Sequence, residues 1–329
     1  MHRPLGRDVR DRARTDLKRA VLLVVLLAFA TAVGLALYAD VGELGAALGG
    51  FRWAWFPVAL ALTALGYLIR FWRWQRYLAR LEISVPPWRS FWIFVAGQTM
   101  VLSPGKLGEV LKSVLLKRAF GVPVRRSAPI VLVERITDGL GVVVVTLLAG
   151  AFVASSWPVV AATVIGSAAL VLAVRAPFLD RFPAVAEARA AAGQLLGPRL
   201  LVGMTAVSAL AWFCLCLAVY VCVRGLDLDV SVADATVAFS ISALAGALTF
   251  LPGGLGVTDA GFTGFLRVLA DVPPAAAAAA TVLARLATLW FAVAFGLVGL
   301  AVDHRLARGD SQPDSAEPGP EPARRSSIR

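Results

Sequence analysis

Eight ionisable side chains, Lys106, Glu109, Lys112, Glu134, Arg135, Asp138, Asp259 and Arg285, lie within or beside long apolar runs. In hydrocarbon such a charge costs about 2.5–3.5 kcal/mol on insertion scales, so each is expected to face a cavity or a partner. Lysine and arginine in that setting bind phosphate or carboxylate. The acids hold the arginines, or take a cationic group or a proton. The first three follow a Pro104-Gly105 break, with Lys106, Glu109 and Ser113 on one helical face and Lys112 beside Glu109 at i, i+3. A helix starting after that break would aim free N–H groups and a positive dipole end into the interior, an anion site with Lys106 as its point charge. The alternative is an interfacial hairpin whose lysines snorkel to water.

Glu134 and Asp138 share a face at i, i+4, and Arg135 reaches Asp138 at i, i+3. Arg135 and Arg285 each lie 12 residues beyond a Val-Pro turn, roughly 18 Å along a helix and deep in a core about 30 Å thick. They line a site or close internal ion pairs, Arg135 with Asp138 and Arg285 with Asp259.

These residues belong to a repeat. SPGKLGEV at Ser103–Val110 returns as LPGGLGVT at Leu251–Thr258, and Val122-Pro123 and Arg135 return as Val272-Pro273 and Arg285. Pro104, Gly105, Gly108, Pro252, Gly253, Gly254 and Gly256 interrupt both copies. Proline cannot continue the preceding helix, and glycine lets backbone or ligand approach closely. Paired Gly/Pro breaks in corresponding halves of an apolar chain point to a transport site.

The elements that position these residues are helices in a bilayer. Of 329 residues 59% are hydrophobic and 16% charged, against about a quarter charged in soluble domains. Full spans are expected at 20–38, 54–71, 128–153, 157–174, 200–223 and 274–302, and two broken pieces at 91–102 with 104–120 and 239–251 with 253–270. The expected fold is an all-α polytopic membrane protein with six transmembrane helices and two re-entrant hairpins in an inverted repeat. Its units are 54–153 and 200–302 within a domain over 20–302. A basic tail (1–19) precedes it and a disordered tail (303–329) follows. The first span exceeds a signal-peptide core and reads as a retained anchor.

With both termini in the cytoplasm, 25 of the 32 Lys and Arg fall on the inside, as the positive-inside rule requires. Arg70, Arg73, Arg76, Arg80 and Arg89 are counted there, and Trp72, Trp74, Trp88 and Trp92 read as interfacial anchors. Only Arg52, Arg224 and Arg267 fall outside. The location expected is the plasma membrane, and the Ala, Arg, Val and Gly bias suggests a bacterial source.

Other chemistries lack their residues. No GxxxxGK[ST] loop, HExxH or Ser/His set is present. Cys214, Cys216 and Cys222 share one span as packing residues, and both histidines lie outside the spans. No cofactor, metal or nucleic-acid partner is expected, and no enzymatic activity.

SPGKLGEVLKSVLLKR, VERITDGLG, LPGGLGVTDAGF and a late ARLATLW, in that order and spacing, resemble the lysylphosphatidylglycerol synthase transmembrane-region family, also called flippase-like membrane proteins. That family includes the flippase part of the multiple peptide resistance factor, which moves aminoacylated phosphatidylglycerol between leaflets. The resemblance implies a lipid translocase that moves an anionic or aminoacylated phospholipid, or a polyprenyl-phosphate-linked lipid, between leaflets, with anionic-headgroup lipids as its partners. It implies a headgroup path along the Pro-Gly-x-Leu-Gly hairpins and the Arg135 and Arg285 helices. Nothing in the chain matches the synthase domain, so aminoacyl transfer is not expected. Competing readings are a transporter of a soluble anion, an intramembrane enzyme acting on lipid-linked substrates, and a non-transporting partner of a cell-envelope enzyme.

Overall fold

The computed structural model describes residues 26, 30–31, 33–34, 40–103, 110–153, 161, 192–249 and 251–309. The expected spans at 20–38 and 157–174 lie almost wholly outside these residues, as do both chain ends. Among the described residues there is helix and no strand.

The helices are α1 (Val41–Gly49), α2 (Phe56–Arg80), α3 (Pro87–Gly97), α4 (Leu111–Phe120), α5 (Val124–Gly150), α6 (Pro198–Gly225), α7 (Val232–Leu248), α8 (Val257–Ala270), α9 (Pro274–Arg285) and α10 (Phe291–Gly309). A single π-helical turn, Leu286–Trp290, joins α9 to α10. Three stretches are long and apolar enough to cross a bilayer: Trp53–Arg80, Pro198–Gly225 and Pro274–Ala307. At 27 residues α5 is also long enough, but it carries the charged run around Glu134.

Proline starts α3, α6 and α9 at their first position, where its missing N–H has no helical partner to lose. Residues in the left-handed region stop α4 at Gly121 (φ 68°) and α8 at Asp271 (φ 50°). These stops are 150 residues apart and each is followed by the Val-Pro of the repeat. The hydropathic boundaries shift in two places. Helix α2 runs nine residues past the expected end at Phe71, because its last turns bury Arg73, Trp74 and Tyr77 against other helices. Helix α7 starts at Val232, seven residues before the expected Phe239, where the Ser231 hydroxyl accepts the Asp234 amide at 3.0 Å.

Corresponding helices of the two units pack antiparallel at the centre. Gly66 of α2 meets Ala211 of α6, Arg73 meets Ser208, and the Arg52 amide donates to the Gly225 carbonyl at 2.8 Å. Around this pair each unit lends an arm to the other. Helix α3 lies on α10, with Gly299 so close that a Cβ would stand 2.6 Å from the Ala96 nitrogen. Helix α7 lies on α5, where Thr146 donates to Ser240 at 2.8 Å.

The two largest apolar cores among the described residues lie toward different ends of α6. One joins Trp74, Tyr77 and Leu78 to Ile93, Phe94, Leu116, Ile130 and Met204. The other joins Val145, Leu215 and Val219 to Phe239, Phe262, Leu266 and Ala280. The first involves the end of α2 and the start of α6, the second the far part of α6. The α3–α4 and α7–α8 pairs therefore occupy opposite ends of the bundle. Their tips touch: a Cβ on Gly253 would lie 3.0 Å from both Leu102 and Leu289.

Candidate functional site

Helix α2 presents a stripe at Ala59, Thr63, Gly66, Tyr67, Arg73, Trp74 and Tyr77 that is buried along its length. Its spacing is the three-four alternation of a packed helix face. The stripe is apolar or small until Arg73, whose side chain is 2% exposed. Arg73 Nη1 donates to Asp138 Oδ1 at 2.6 Å, to Ser208 Oγ, and to Thr137 Oγ1 at 3.3 Å. Asp138 Oδ2 accepts from Arg135 Nη2 at 3.2 Å. One turn back on α5, Glu134 Oε2 accepts from Lys112 Nζ of α4 at 2.5 Å. Lys112 also stands 4.7 Å from the centre of the Trp74 ring and 5.4 Å from that of Phe94. Helices α2, α4, α5 and α6 thus enclose one network.

Burying such charges costs several kcal/mol per ion, repaid only by close partners and further hydrogen bonds. Much of the network meets that demand, but atoms of Glu134, Arg70 and Arg73 (its Nε) do not. Glu134 Oε1 has no donor, and the nearest guanidinium nitrogen, Arg73 Nη2, is 4.0 Å away. Arg70, one turn before Arg73, stacks 5.2 Å from the Trp212 ring centre and 6.0 Å from that of Tyr67. Its Nε and Nη2 are buried without a hydrogen-bond acceptor. Among the described residues four cations, Arg70, Arg73, Lys112 and Arg135, surround two carboxylates, Glu134 and Asp138, and Arg70 holds unused donors.

The second group is smaller. Arg285 of α9 grips Asp259 of α8 with two parallel bonds, Nε to Oδ1 at 2.5 Å and Nη2 to Oδ2 at 3.1 Å. This forked geometry is the strong form of an arginine–carboxylate pair. Nη2 also donates to the Gly254 carbonyl at 3.2 Å, and the Gly256 amide donates to Asp259 Oδ2 at 2.8 Å. Both partners are thus tied to the turn between α7 and α8, where Gly253 has φ 61°. The π-helical turn begins immediately after Arg285 and brings Leu289 onto Gly253. Such turns cluster at functional sites.

The structure gathers the expected residues into two groups. Lys112, Glu134, Arg135 and Asp138 share the first. Asp259 and Arg285 form the second with the backbone of Gly254 and Gly256, at the tip that includes Pro252 and Gly253. Pro104, Gly105, Lys106, Gly108 and Glu109 lie outside the described residues. Lys112, read beside Glu109, is joined to Glu134. Arg70 and Arg73, counted as cytoplasmic charges, are instead part of the interior, and Trp74, read as an interfacial anchor, is fully buried. Trp72 and Trp88 remain exposed. The signal for Arg70 and Arg73 was present: both continue the helical stripe that starts at Ala59.

Long apolar helices around an interior of ion pairs define a membrane-embedded protein. The chain matches the family described as Lysylphosphatidylglycerol synthase TM region over residues 22–296 and belongs to that family. The match includes both broken helix pairs and every charged residue of the two groups. A search of curated proteins found no match.

Proposed function

We propose that this protein is a lipid translocase that carries an anionic phospholipid, or a polyprenyl-phosphate-linked lipid, between leaflets. In this reading six helices cross the plasma membrane with both termini in the cytoplasm. The α3–α4 and α7–α8 pairs are re-entrant hairpins entering from opposite faces. The antiparallel packing of α2 on α6 and the placement of the hairpins at opposite bundle ends support an inverted repeat. Exchanging the conformations of such halves swaps inward-open for outward-open states. The contact among Leu102, Gly253 and Leu289 closes the path between the tips.

The observation that carries the proposal is the buried, unused donors of Arg70 beside the first group. An anionic phosphodiester supplies the acceptors that Arg70 lacks, in a site dry enough to strengthen each bond. Acyl or isoprenoid tails stay in lipid. Arg285 and Asp259 hold the second tip, where opening their fork frees a guanidinium for the headgroup on its way. Glu134 Oε1 can accept a donor from the headgroup.

The test is reconstitution in liposomes with fluorescent phosphatidylglycerol, polyprenyl phosphate or phosphatidylcholine, reading the fraction that a membrane-impermeant quencher reaches over time. Acceleration of the anionic lipids over empty vesicles is expected, with little for phosphatidylcholine. Arg70→Gln should slow the anionic lipids by about tenfold or more, the loss of one charge-assisted contact. No acceleration over empty vesicles overturns the proposal. Uptake of a soluble anion without lipid movement favours the soluble-anion reading.

A further inference from the structure

A cleft of about 460 Å³ opens at the end of α2, outside both charged groups, lined by Arg80, Leu81, Glu82, Arg125, Arg126 and Gln194. It is built from three separate stretches: the last turn of α2 and its stop, the first turn of α5, and the segment leading into α6. Arg126 is structural here. Its Nη2 donates to the Leu81 carbonyl at 2.9 Å and to the Glu82 carbonyl at 3.4 Å, tying α5 to the turn where Glu82 adopts φ 54°. Arg80 and Arg125 make no ion pair or hydrogen bond through their side chains among the described residues. Three guanidinium groups thus face one carboxylate, and two of the three are uncommitted. No acidic residue sits in the first turn of α5 to offset its free N–H groups, so the helix end adds to the positive field.

The level of this cleft in the bilayer follows from its neighbours. Trp88, at the start of α3 just beyond the Leu81–Glu82 turn, is exposed, with Arg89 stacked 5.5 Å from its ring centre. Exposed tryptophan among arginines marks the headgroup layer. Arg80 is seven residues beyond Arg73, roughly 10 Å along the helix, so the cleft and the buried network are separate places. Its volume falls in the range of small-molecule sites, about 300–1,000 Å³. Basic pockets between helices at a membrane face bind anionic headgroups, and a guanidinium grips a phosphate with two bonds at once.

We infer that this cleft is a resident site for the phosphodiester headgroup of an anionic lipid, held by Arg80 and Arg125, and that this lipid is retained rather than transported. The site does not depend on translocation, so its test reads lipid retention. The full-length protein in detergent is supplied with phosphatidylglycerol or phosphatidylcholine and bound lipid is counted by native mass spectrometry. The variants are the double Arg80→Gln/Arg125→Gln and, separately, Arg70→Gln. Arg126 is left in place because it holds the turn, and an unfolding midpoint equal to the wild type's is expected for substitutions at the exposed Arg80 and Arg125.

The wild type should retain one phosphatidylglycerol in preference to phosphatidylcholine. The double variant should hold it at least about tenfold more weakly, as expected for losing more than one charge-assisted contact. Arg70→Gln should keep it. Equal retention by the double variant and the wild type overturns the site. So does loss of the lipid in Arg70→Gln alone, which would place it in the buried network. Binding of inorganic phosphate to delipidated protein with the same arginine dependence, and no preference between the two lipids, overturns the lipid as the source of the phosphate.

Discussion

The two broken helix pairs solve one problem with opposite polarity. In the first, the base is on the short arm (Lys112) and the acid on the long helix (Glu134). In the second, the acid is on the short arm (Asp259) and the base on the long helix (Arg285). The first pair sits in a network with Arg73, Asp138 and Arg135, while the second is a single fork tied to its own turn. Both broken pairs share one device, a charge bridge from the short arm to a long helix, with different charges around it. Beside the first network Arg70 holds unused donors, whereas in the second the Arg285 fork is closed on Asp259. In the proposed mechanism the first binds and the second latches.

The largest expected effect comes from Asp138. Asp138→Asn leaves Arg73 and Arg135 without their shared carboxylate and should cost about 3–5 kcal/mol, the usual penalty for breaking a buried pair. Thermal unfolding in detergent would show it, and a loss near zero would mean that the network is not buried as described. Asp259→Asn should cost less, about 2–3 kcal/mol, because Arg285 keeps the Gly254 carbonyl. If it costs more than Asp138→Asn, the contrast between network and latch is wrong. Replacing the latch as a unit, Asp259→Leu with Arg285→Met, sharpens the point. Stability should change by about 1 kcal/mol or less, since apolar replacement of a buried pair is often neutral. Lipid movement, measured in liposomes, should fall.

Smaller effects test the tips and the arms. Gly253→Ala places a Cβ against Leu102 and Leu289 in a left-handed conformation and should cost about 1–3 kcal/mol. Its signature is slowed lipid movement at a temperature where the protein remains folded. Ser231→Ala removes the cap of α7 and should cost about 1 kcal/mol. Hydrogen exchange should rise at the start of α7 and stay unchanged in α3, which starts on Pro87 without a side-chain cap.

Much of this was legible in the sequence because membrane rules act locally. The two Val-Pro marks and the second Pro-Gly located breaks, and proline and left-handed stops produced them. The rule that an intramembrane charge needs a partner offered Asp259 for Arg285 and Asp138 for Arg135 as the alternative to an open site, and both pairs are present. Hydropathy failed at the end of α2, since four charged residues between Arg70 and Arg80 lower the average even where the helix continues and one face is buried. The Lys112–Glu134 bridge spans 22 residues between two helices and leaves no periodic trace. Neither does the exchange of arms between units, which depends on how α3 and α7 pack and not on any one segment's pattern.

The central claim is that the two units are inverted in the membrane, and side-specific labelling tests it most directly. Single cysteines at the exposed positions Arg125 and Asp271, in a background without Cys214, Cys216 and Cys222, report the connections that follow each hairpin. A membrane-impermeant thiol reagent on intact cells should label Asp271→Cys and reach Arg125→Cys only after permeabilisation. Labelling of both from the same side would contradict the account.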